Sequence, residues 1–334
     1  MNGIGLIGLG FMGATHLKAW LECSDVRIAA ICNPSGRHLD GDFSDVAGNV
    51  GDNNPLKLDM TQTRAYTSYD EMLADPSVTI IDICTPTHTH RDLAIAALKA
   101  GKHVLCEKPM ARTSDEARVM VDAANASGRI LMPAMCLRFW PGWTWLADAV
   151  KSQCYGKVLS AKFTRIAEPP AWGQNFFFDG AKSGGALLDL HIHDTDFVRH
   201  LFGHPIKVES CGYTKVSGCI DHVLTRYHVK CGALVHAEGS WAMQKGFGFR
   251  MTYVVNFENA TADYDLARGD EALQLSTNGE KQTIKCDGPG GHTAMIQHFL
   301  NAVNAGKQPT IVTVEDGLRA LEVCEAEAQS AKPE

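Results

Sequence analysis

At 334 residues the chain exceeds the usual single-domain size of about 100–200 residues, so two domains are expected. Hydrophobic residues make up 45% and charged residues 21%, which excludes a disordered or fibrous chain, and a net charge of −7 with scattered lysines and arginines gives no basic surface for nucleic acid. No apolar run approaches the roughly 20 residues that span a bilayer, MNGIGLIGLGF has no basic leader, and the 11 cysteines stand singly without a CxxC pair, so a cytoplasmic protein with free thiols and no membrane contact is expected.

Residues 1–127 alternate short apolar runs with helical patterns, the mark of repeated βαβ units and a parallel sheet. The spacing predicts a strand over 3–8, a helix over 14–23 and a strand over 26–32. A loop rich in Gly, Asp and Asn runs from Asn33 towards Tyr66. Ser68 with Glu71, and Thr113 with Glu116, form capping boxes that open two further helices. Strands over 78–84 and at HVLC flank a helix over 88–100, with Gly101 in the position after its end.

From residue 128 the rhythm changes to β-like runs: RILMPAM, KVLSAKFTRI, IKVESCGYTK, HVLTRYHV, ALVHAEGSWAM and RMTYVVNFE. Lys230-Cys231-Gly232 reads as a hairpin turn, and helices are expected at 186–202, 292–305 and 315–331. This half, 128–334, reads as a mostly antiparallel sheet. Trp140, Trp143, Trp172 and Phe176 to Phe178 supply either a wall for a sugar ring or ordinary core.

Three motifs carry chemistry. In GLGFMG the glycines follow a strand and open a helix, which fits a dinucleotide seat: Gly8 for the turn, Gly10 for approach of backbone to pyrophosphate, Gly13 for close packing, with Phe11 and Met12 between them. The end of the second strand carries Asn33 instead of the acid that binds an NAD ribose. With Ser35 and Arg37 it favours NADP(H), NAD(H) being the alternative; the same residues also fit a plain turn. Lys108, in Glu107-Lys108-Pro109 at the carboxyl end of a parallel strand, stands where such sheets bind ligands and can stabilise charge on a substrate oxygen. Asp189 and His193, four apart in GGALLDLHIHDTDF, share a helical face and suit proton transfer from a hydroxyl, or pair as ordinary helix neighbours. His191, His193 and Asp194 diverge around a helix, so no metal site is expected there, and His88 and His90 read as helix-start residues.

Taken together, GLGFMG, CTPTHTH, CEKPM and GGALLDLHIHDTDF, in this order over nearly the whole chain, resemble the Gfo/Idh/MocA oxidoreductases. The resemblance implies an α/β chain: an N-terminal Rossmann doubly wound parallel sheet plus a C-terminal α+β domain with an open, mostly antiparallel sheet that forms homo-oligomer contacts. It implies that Lys108, Asp189 and His193 are the catalytic set, that Arg138 and Asp196 contact substrate, and that Thr85, Pro86, His90 and Glu107 surround the cofactor. A nicotinamide-dependent oxidoreductase acting on a sugar, sugar derivative or cyclic polyol is the expectation. A non-catalytic dinucleotide or sugar sensor, and a glycosidase working by transient oxidation, are the alternatives. The chain departs from the family pattern at His191, where glycine is common, and in the length of the loop after the second strand.

Overall fold

The computed structural model describes residues 1–46, 55–170 and 176–331. Contacts divide the chain into two units, one of Met1–Cys136 with His292–Leu318 and one of Leu137–Gly291 with Arg319–Glu334.

The first unit is built on six parallel strands, β1 (Asn2–Ile7), β2 (Val26–Cys32), β3 (Arg64–Tyr66), β4 (Ile80–Ile83), β5 (His103–Cys106) and β6 (Leu131–Pro133), in the order β3-β2-β1-β4-β5-β6. Its central strands are continuous apolar runs because both faces are covered; Ile4, Leu6, Ile81 and Leu105 are all 0% exposed. Helices α1 (Phe11–Leu21), α2 (Tyr69–Ala74), α3 (His90–Lys99) and α4 (Ser114–Ser127) connect them. The side chains of Ser68 and Thr113 accept hydrogen bonds from the N–H groups of Glu71 and Glu116, capping α2 and α4 as their spacing predicts. Strand order reverses between β1 and β4, the place where ligands bind outside the carboxyl ends of an open sheet.

The boundary drawn from the change of rhythm at residue 128 falls before β6. RILMPAM reads as the start of a new sheet, yet Leu131–Pro133 pairs in parallel with β5 as the edge of the first sheet.

In the second unit come α5 (Pro141–Ser152), β7 (Val158–Ala167), the short α6 (Gly180–Ser183), a π-turn (Leu187–His191) running into α7 (Ile192–Phe202), and strands β8 (Lys207–Tyr213), β9 (His222–His228), β10 (Leu234–Ser240), β11 (Phe249–Phe257), β12 (Thr261–Asp265), β13 (Leu273–Thr277) and β14 (Glu280–Ile284). The sheet has eight strands in the order β14-β13-β12-β11-β7-β10-β9-β8; β7 and β10 pair in parallel and the other neighbours antiparallel. Gly232, at φ +79°, makes the β9–β10 hairpin turn.

One face of this sheet packs on α5 and α7 around Trp143, which is 0% exposed and meets Phe197 edge-on at 4.9 Å and Tyr253 at 5.2 Å. Trp143 is therefore core, not the wall of a pocket. Phe177 packs edge-on to Trp241, and Trp172 lies outside the described residues. Helices α8 (Gly291–Ala305) and α9 (Val314–Ser330) close the chain; in the first unit, Phe299 of α8 packs edge-on against Trp20 at 6.5 Å.

Candidate active site

The glycine turn leads from β1 into α1. A Cβ on Gly8, where φ is +93°, would lie 2.5 Å from Cys84 backbone, and one on Gly13 would lie 2.0 Å from the Gly8 carbonyl oxygen. At Gly10 a Cβ would meet nothing within 4 Å, so this glycine faces open space beside the helix start. Gly10 caps α1 without a side-chain bond, and the first turn, with Phe11 and Met12 half-exposed, carries no acidic residue. A helix start with no side-chain cap bond and no carboxylate in its first turn, behind a turn that carries Gly8 and Gly10, fits a pyrophosphate.

The Asn33 carboxamide organises the turn after β2. Its Oδ1 accepts from the Ser35 hydroxyl at 2.9 Å and its Nδ2 donates to the Arg37 carbonyl at 2.9 Å. Arg37 is exposed, 3.6 Å from Asp45. His38 ties this loop to the glycine turn, with Nδ1 2.8 Å from the Leu9 carbonyl and Nε2 2.8 Å from Asp45.

After β4, the hydroxyls of Thr85 and Thr89 share a 2.6 Å hydrogen bond and Pro86 is exposed. His90 is 1% exposed, its Nε2 2.7 Å from the Thr85 carbonyl and its Nδ1 2.9 Å from the Pro109 carbonyl. After β5, Lys108 is half-buried between the buried Glu107 and Pro109. The Glu107 carboxylate accepts the Lys108 backbone N–H at 3.0 Å and lies 2.9 Å from His16 Nε2.

His16 and its neighbours were not singled out from the sequence. His16 Nδ1 stands 3.0 Å from both oxygens of Asp82, and the Trp20 indole N–H donates to the same carboxylate at 2.7 Å; all three are 0% exposed. Burial opposes a charge on His16, but the Asp82 carboxylate outweighs it and raises its pKa well above the usual value. Burial likewise opposes ionisation of Glu107, yet His16 and Lys108 hold its pKa below the ordinary range. His292, 6.0 Å from His16, is pushed down to about 4 by burial and by the charge on His16, and stays neutral at pH 7. His16, Asp82 and Cys84 offer ligand atoms within 4.8 Å of one another, but burial raises the Cys84 thiol pKa while Asp82 is engaged by the imidazole and the indole. The cluster is an ion pair, not a thiolate metal site. The signal for it in the sequence is a histidine and an aspartate set in the apolar runs GATHLKAW and TIIDIC.

In the second unit the DLHIH segment opens as a π-turn before continuing as α7, a distortion common at functional sites. Asp189 and His193 are half-buried, while Ile192 and Asp194 on either side of His193 are buried. Asp194 accepts from Arg165 of β7 at two points along the Nε–Nη2 edge of the guanidinium, at 2.7 and 3.2 Å. His191 turns inward: its Nε2 lies 3.1 Å from the Tyr227 hydroxyl and 3.3 Å from Glu327, and Thr195 joins both partners. Gly239 of β10 admits this ring, since a Cβ there would lie 2.6 Å from it. Arg138 and Asp196 hold each other in a two-point pair at 2.8 and 2.6 Å, with side chains only 3% and 1% exposed. They are brought together, and they leave little surface for a substrate.

Residues 2–135 match the family model described as an oxidoreductase family with an NAD-binding Rossmann fold, and residues 143–263 match the GFO/IDH/MocA C-terminal domain. The chain belongs to the GFO/IDH/MocA oxidoreductases. Within the family it is similar to myo-inositol 2-dehydrogenase of Thermotoga maritima, 28% identical over 338 residues that cover 95% of this chain and 92% of that protein. It is 30% identical to levoglucosan dehydrogenase of Pseudarthrobacter phenanthrenivorans over 207 residues, covering 60% of this chain and about half, 51%, of that protein. A solved structure of levoglucosan dehydrogenase with NADH and levoglucosan superposes with a TM-score of 0.82 at 23% identity, covering 99% of this chain and 97% of that one, a likeness of fold.

Proposed function

We propose that this GFO/IDH/MocA chain is a nicotinamide-dependent dehydrogenase, or a ketone reductase in the reverse direction, acting on a secondary alcohol of a sugar, sugar derivative or cyclic polyol. One observation carries the reading. Lys108, between buried Glu107 and Pro109, and His193, between buried Ile192 and Asp194, each stay partly exposed where their neighbours do not, and Asp189 does so one turn before His193. The names of the relatives, myo-inositol 2-dehydrogenase and levoglucosan dehydrogenase, support the substrate class.

In this reading the Lys108 ammonium donates to the carbinol oxygen and stabilises the charge developing on it. His193 takes the hydroxyl proton, and Asp189 orients the ring. When bound, the nicotinamide supplies the hydride chemistry at its C4. Gly8, Gly10, Phe11, Met12 and Gly13 hold the pyrophosphate and Asn33, Ser35 and Arg37 the adenosine end. Thr85, Pro86, Glu107 and His90 shape the wall near Lys108, the last two through the loops that their buried side chains tie together. We assign NADP(H) as the preferred cofactor because Asn33 stands where an acid would repel a 2′-phosphate. Asp45, beside Arg37, is the counter-charge that a phosphate must displace.

No helix among the described residues is long and apolar enough to cross a membrane, and we place the protein in the cytoplasm. Leu159, Leu224, Leu234 and Val254, exposed by 39–53% on the outer face of the second sheet, support a homo-oligomer formed through that face.

The test is a screen of cofactor reduction at 340 nm over sugars, lactones, inositols and glycosides with NAD and NADP. Turnover with a sugar or polyol is expected, and Lys108→Met or His193→Ala should lower it by roughly 10²–10⁴ while the dinucleotide Kd holds. A bound dinucleotide with no turnover of any compound overturns the enzyme in favour of a sensor. Release of chromophore from an aryl glycoside without net reduction points to the glycosidase.

A further inference from the structure

Lys108 carries a flexible four-carbon side chain, so the place of its ammonium depends on how firmly its backbone is held. Glu107 and Pro109 are both tied down by buried histidines, from two different helices. On the amino side, the Glu107 carboxylate receives the Lys108 N–H at 3.0 Å through one oxygen and pairs with His16 at 2.9 Å through the other. On the carboxyl side, His90 lies 2.9 Å from the Pro109 carbonyl and 2.7 Å from the Thr85 carbonyl, joining the loop after β5 to the loop after β4.

Each tie is anchored in turn. His16 is backed by Asp82, and Asp82 by the Trp20 indole, so a line of charge-assisted contacts runs from α1 through β4 to the N–H of Lys108 itself. His90 begins α3, and with one ring nitrogen at each carbonyl it bridges segments 22 to 24 residues apart in sequence, Thr85–Pro86 and Lys108–Pro109. Burial lowers the His90 pKa, so the neutral ring donates its single N–H to one of the two carbonyls and packs its other nitrogen against the second, touching both loops at once.

We propose that His16 and His90 are the positioning residues of Lys108, gripping the chain one residue before and one residue after it. Neither touches substrate; both act through the lysine. The inference rests on the reading of Lys108 as a catalytic residue, and it makes a claim about geometry that can be checked without turnover. A displacement of about an ångström is enough to lower turnover by roughly a hundredfold, so loosening the loop should slow the chemical step more than it weakens binding.

The experiment compares the full-length wild type with His90→Leu, His90→Gln, His16→Gln and Lys108→Met, and with His90→Leu and His16→Gln placed on Lys108→Met. For His90→Leu, kcat is expected to fall by about ten- to a hundredfold with KM and the dinucleotide Kd within about twofold. His90→Gln, whose amide still offers N–H donors, should recover part of the loss. On the Lys108→Met background either histidine change should cost less than about twofold more, because the residue they act through is gone.

A second readout is the rate at which an N-hydroxysuccinimide ester acylates Lys108, measured by peptide mass spectrometry with the exposed Lys162 as internal reference. His90→Leu and His16→Gln should each change the Lys108 rate at least about threefold and leave that of Lys162 alone. Unchanged Lys108 reactivity in both variants, or a full additive loss on Lys108→Met, overturns the proposal. If His90→Leu does not fold, His90→Gln and His16→Gln carry the same two readouts. Wild-type turnover in Lys108→Met overturns the catalytic reading instead, and the acylation rates still decide whether the histidines hold the loop.

Discussion

Gly13 and Gly8 touch across the first turn so closely that a Cβ on Gly13 would lie 2.0 Å from the Gly8 carbonyl oxygen, whereas a Cβ on Gly10 would meet no protein atom within 4 Å. The two glycines should therefore fail differently. Gly13→Ala forces backbone apart and is expected to lower thermal stability. Gly10→Ala, at φ −90°, is strain-free and should leave the melting temperature unchanged while raising the dinucleotide Kd about tenfold or more, equal to roughly 1.4 kcal/mol of lost phosphate contact. Thermal melts and fluorescence titration with NADPH and NADH check both. Wild-type affinity in Gly10→Ala would mean that no phosphate sits in this turn.

Arg138 and Asp196 form a two-point ion pair with side chains 3% and 1% exposed, and Arg199 lies 3.6 Å from the same carboxylate. Removing Asp196 would leave two cations facing each other without water. Breaking such a buried pair costs about 3–5 kcal/mol, while replacing both partners with apolar residues recovers much of it. Asp196→Ala and Arg138→Leu should each show this loss in chemical denaturation, and the double change Arg138→Leu with Asp196→Leu should lose less than either single. Singles within about 1 kcal/mol of wild type would show that the pair is not a brace for this unit.

The contrast between these two sites shows what the sequence could tell. The glycine turn, the Ser68 and Thr113 caps and the hairpin at Gly232 are local: each is specified within a few residues, and each stands where its spacing puts it. The partnership of Arg138 with Asp196, 58 residues apart, and of His16 with Asp82, 66 apart, depends on how distant elements pack, and no periodicity announces it. Strands β12 to β14 escaped for another reason. TADYD, LQLST and EKQTI are only five residues each, too short to show a clear period, and their strand state comes from pairing beside β11. The π-turn escaped because Asp189 and His193 read as α-helical neighbours at a spacing that the wider turn also tolerates.

Asp221 is 0% exposed and gathers the segment after β8. Its carboxylate accepts from the N–H groups of Lys215, Val216 and Ser217, the Ser217 hydroxyl and the Trp241 indole. Burial works against its charge, but the Ser217 hydroxyl and the three backbone donors outweigh it and hold the pKa below the usual carboxylate value. A depressed folded pKa adds stability that is fully present above the unfolded pKa of about 4 and is lost as pH falls through the folded value. Asp221→Asn should therefore lower the melting temperature at pH 7 and flatten its decline below about pH 4, since the variant has no such proton to take up. Parallel melting curves for the two proteins from pH 7 to pH 3 would show that Asp221 is not the group responsible.

Asp45 holds two partners at the adenosine end of the proposed cofactor site, Arg37 at 3.6 Å and His38 Nε2 at 2.8 Å. A 2′-phosphate would compete with Asp45 for Arg37, so the carboxylate works against NADP(H) even as Asn33 permits it. Asp45→Asn offers a carboxamide that can bond His38 Nε2 in either sense, donating its N–H to a neutral ring whose Nδ1–H holds the Leu9 carbonyl, and so keeps this tether while removing the charge. It should tighten NADPH binding by about two- to fivefold, the range of one exposed charge contact, and leave NADH nearly unchanged. Arg37→Ala should do the reverse, weakening NADPH alone. Both effects should shrink as salt is raised, because a Debye length of about 8 Å at physiological ionic strength falls to about 3 Å at 1 M. Equal Kd values for NADPH and NADH in the wild type, unmoved by either substitution, would remove the preference for NADP(H) and leave Asn33, Ser35 and Arg37 as a turn.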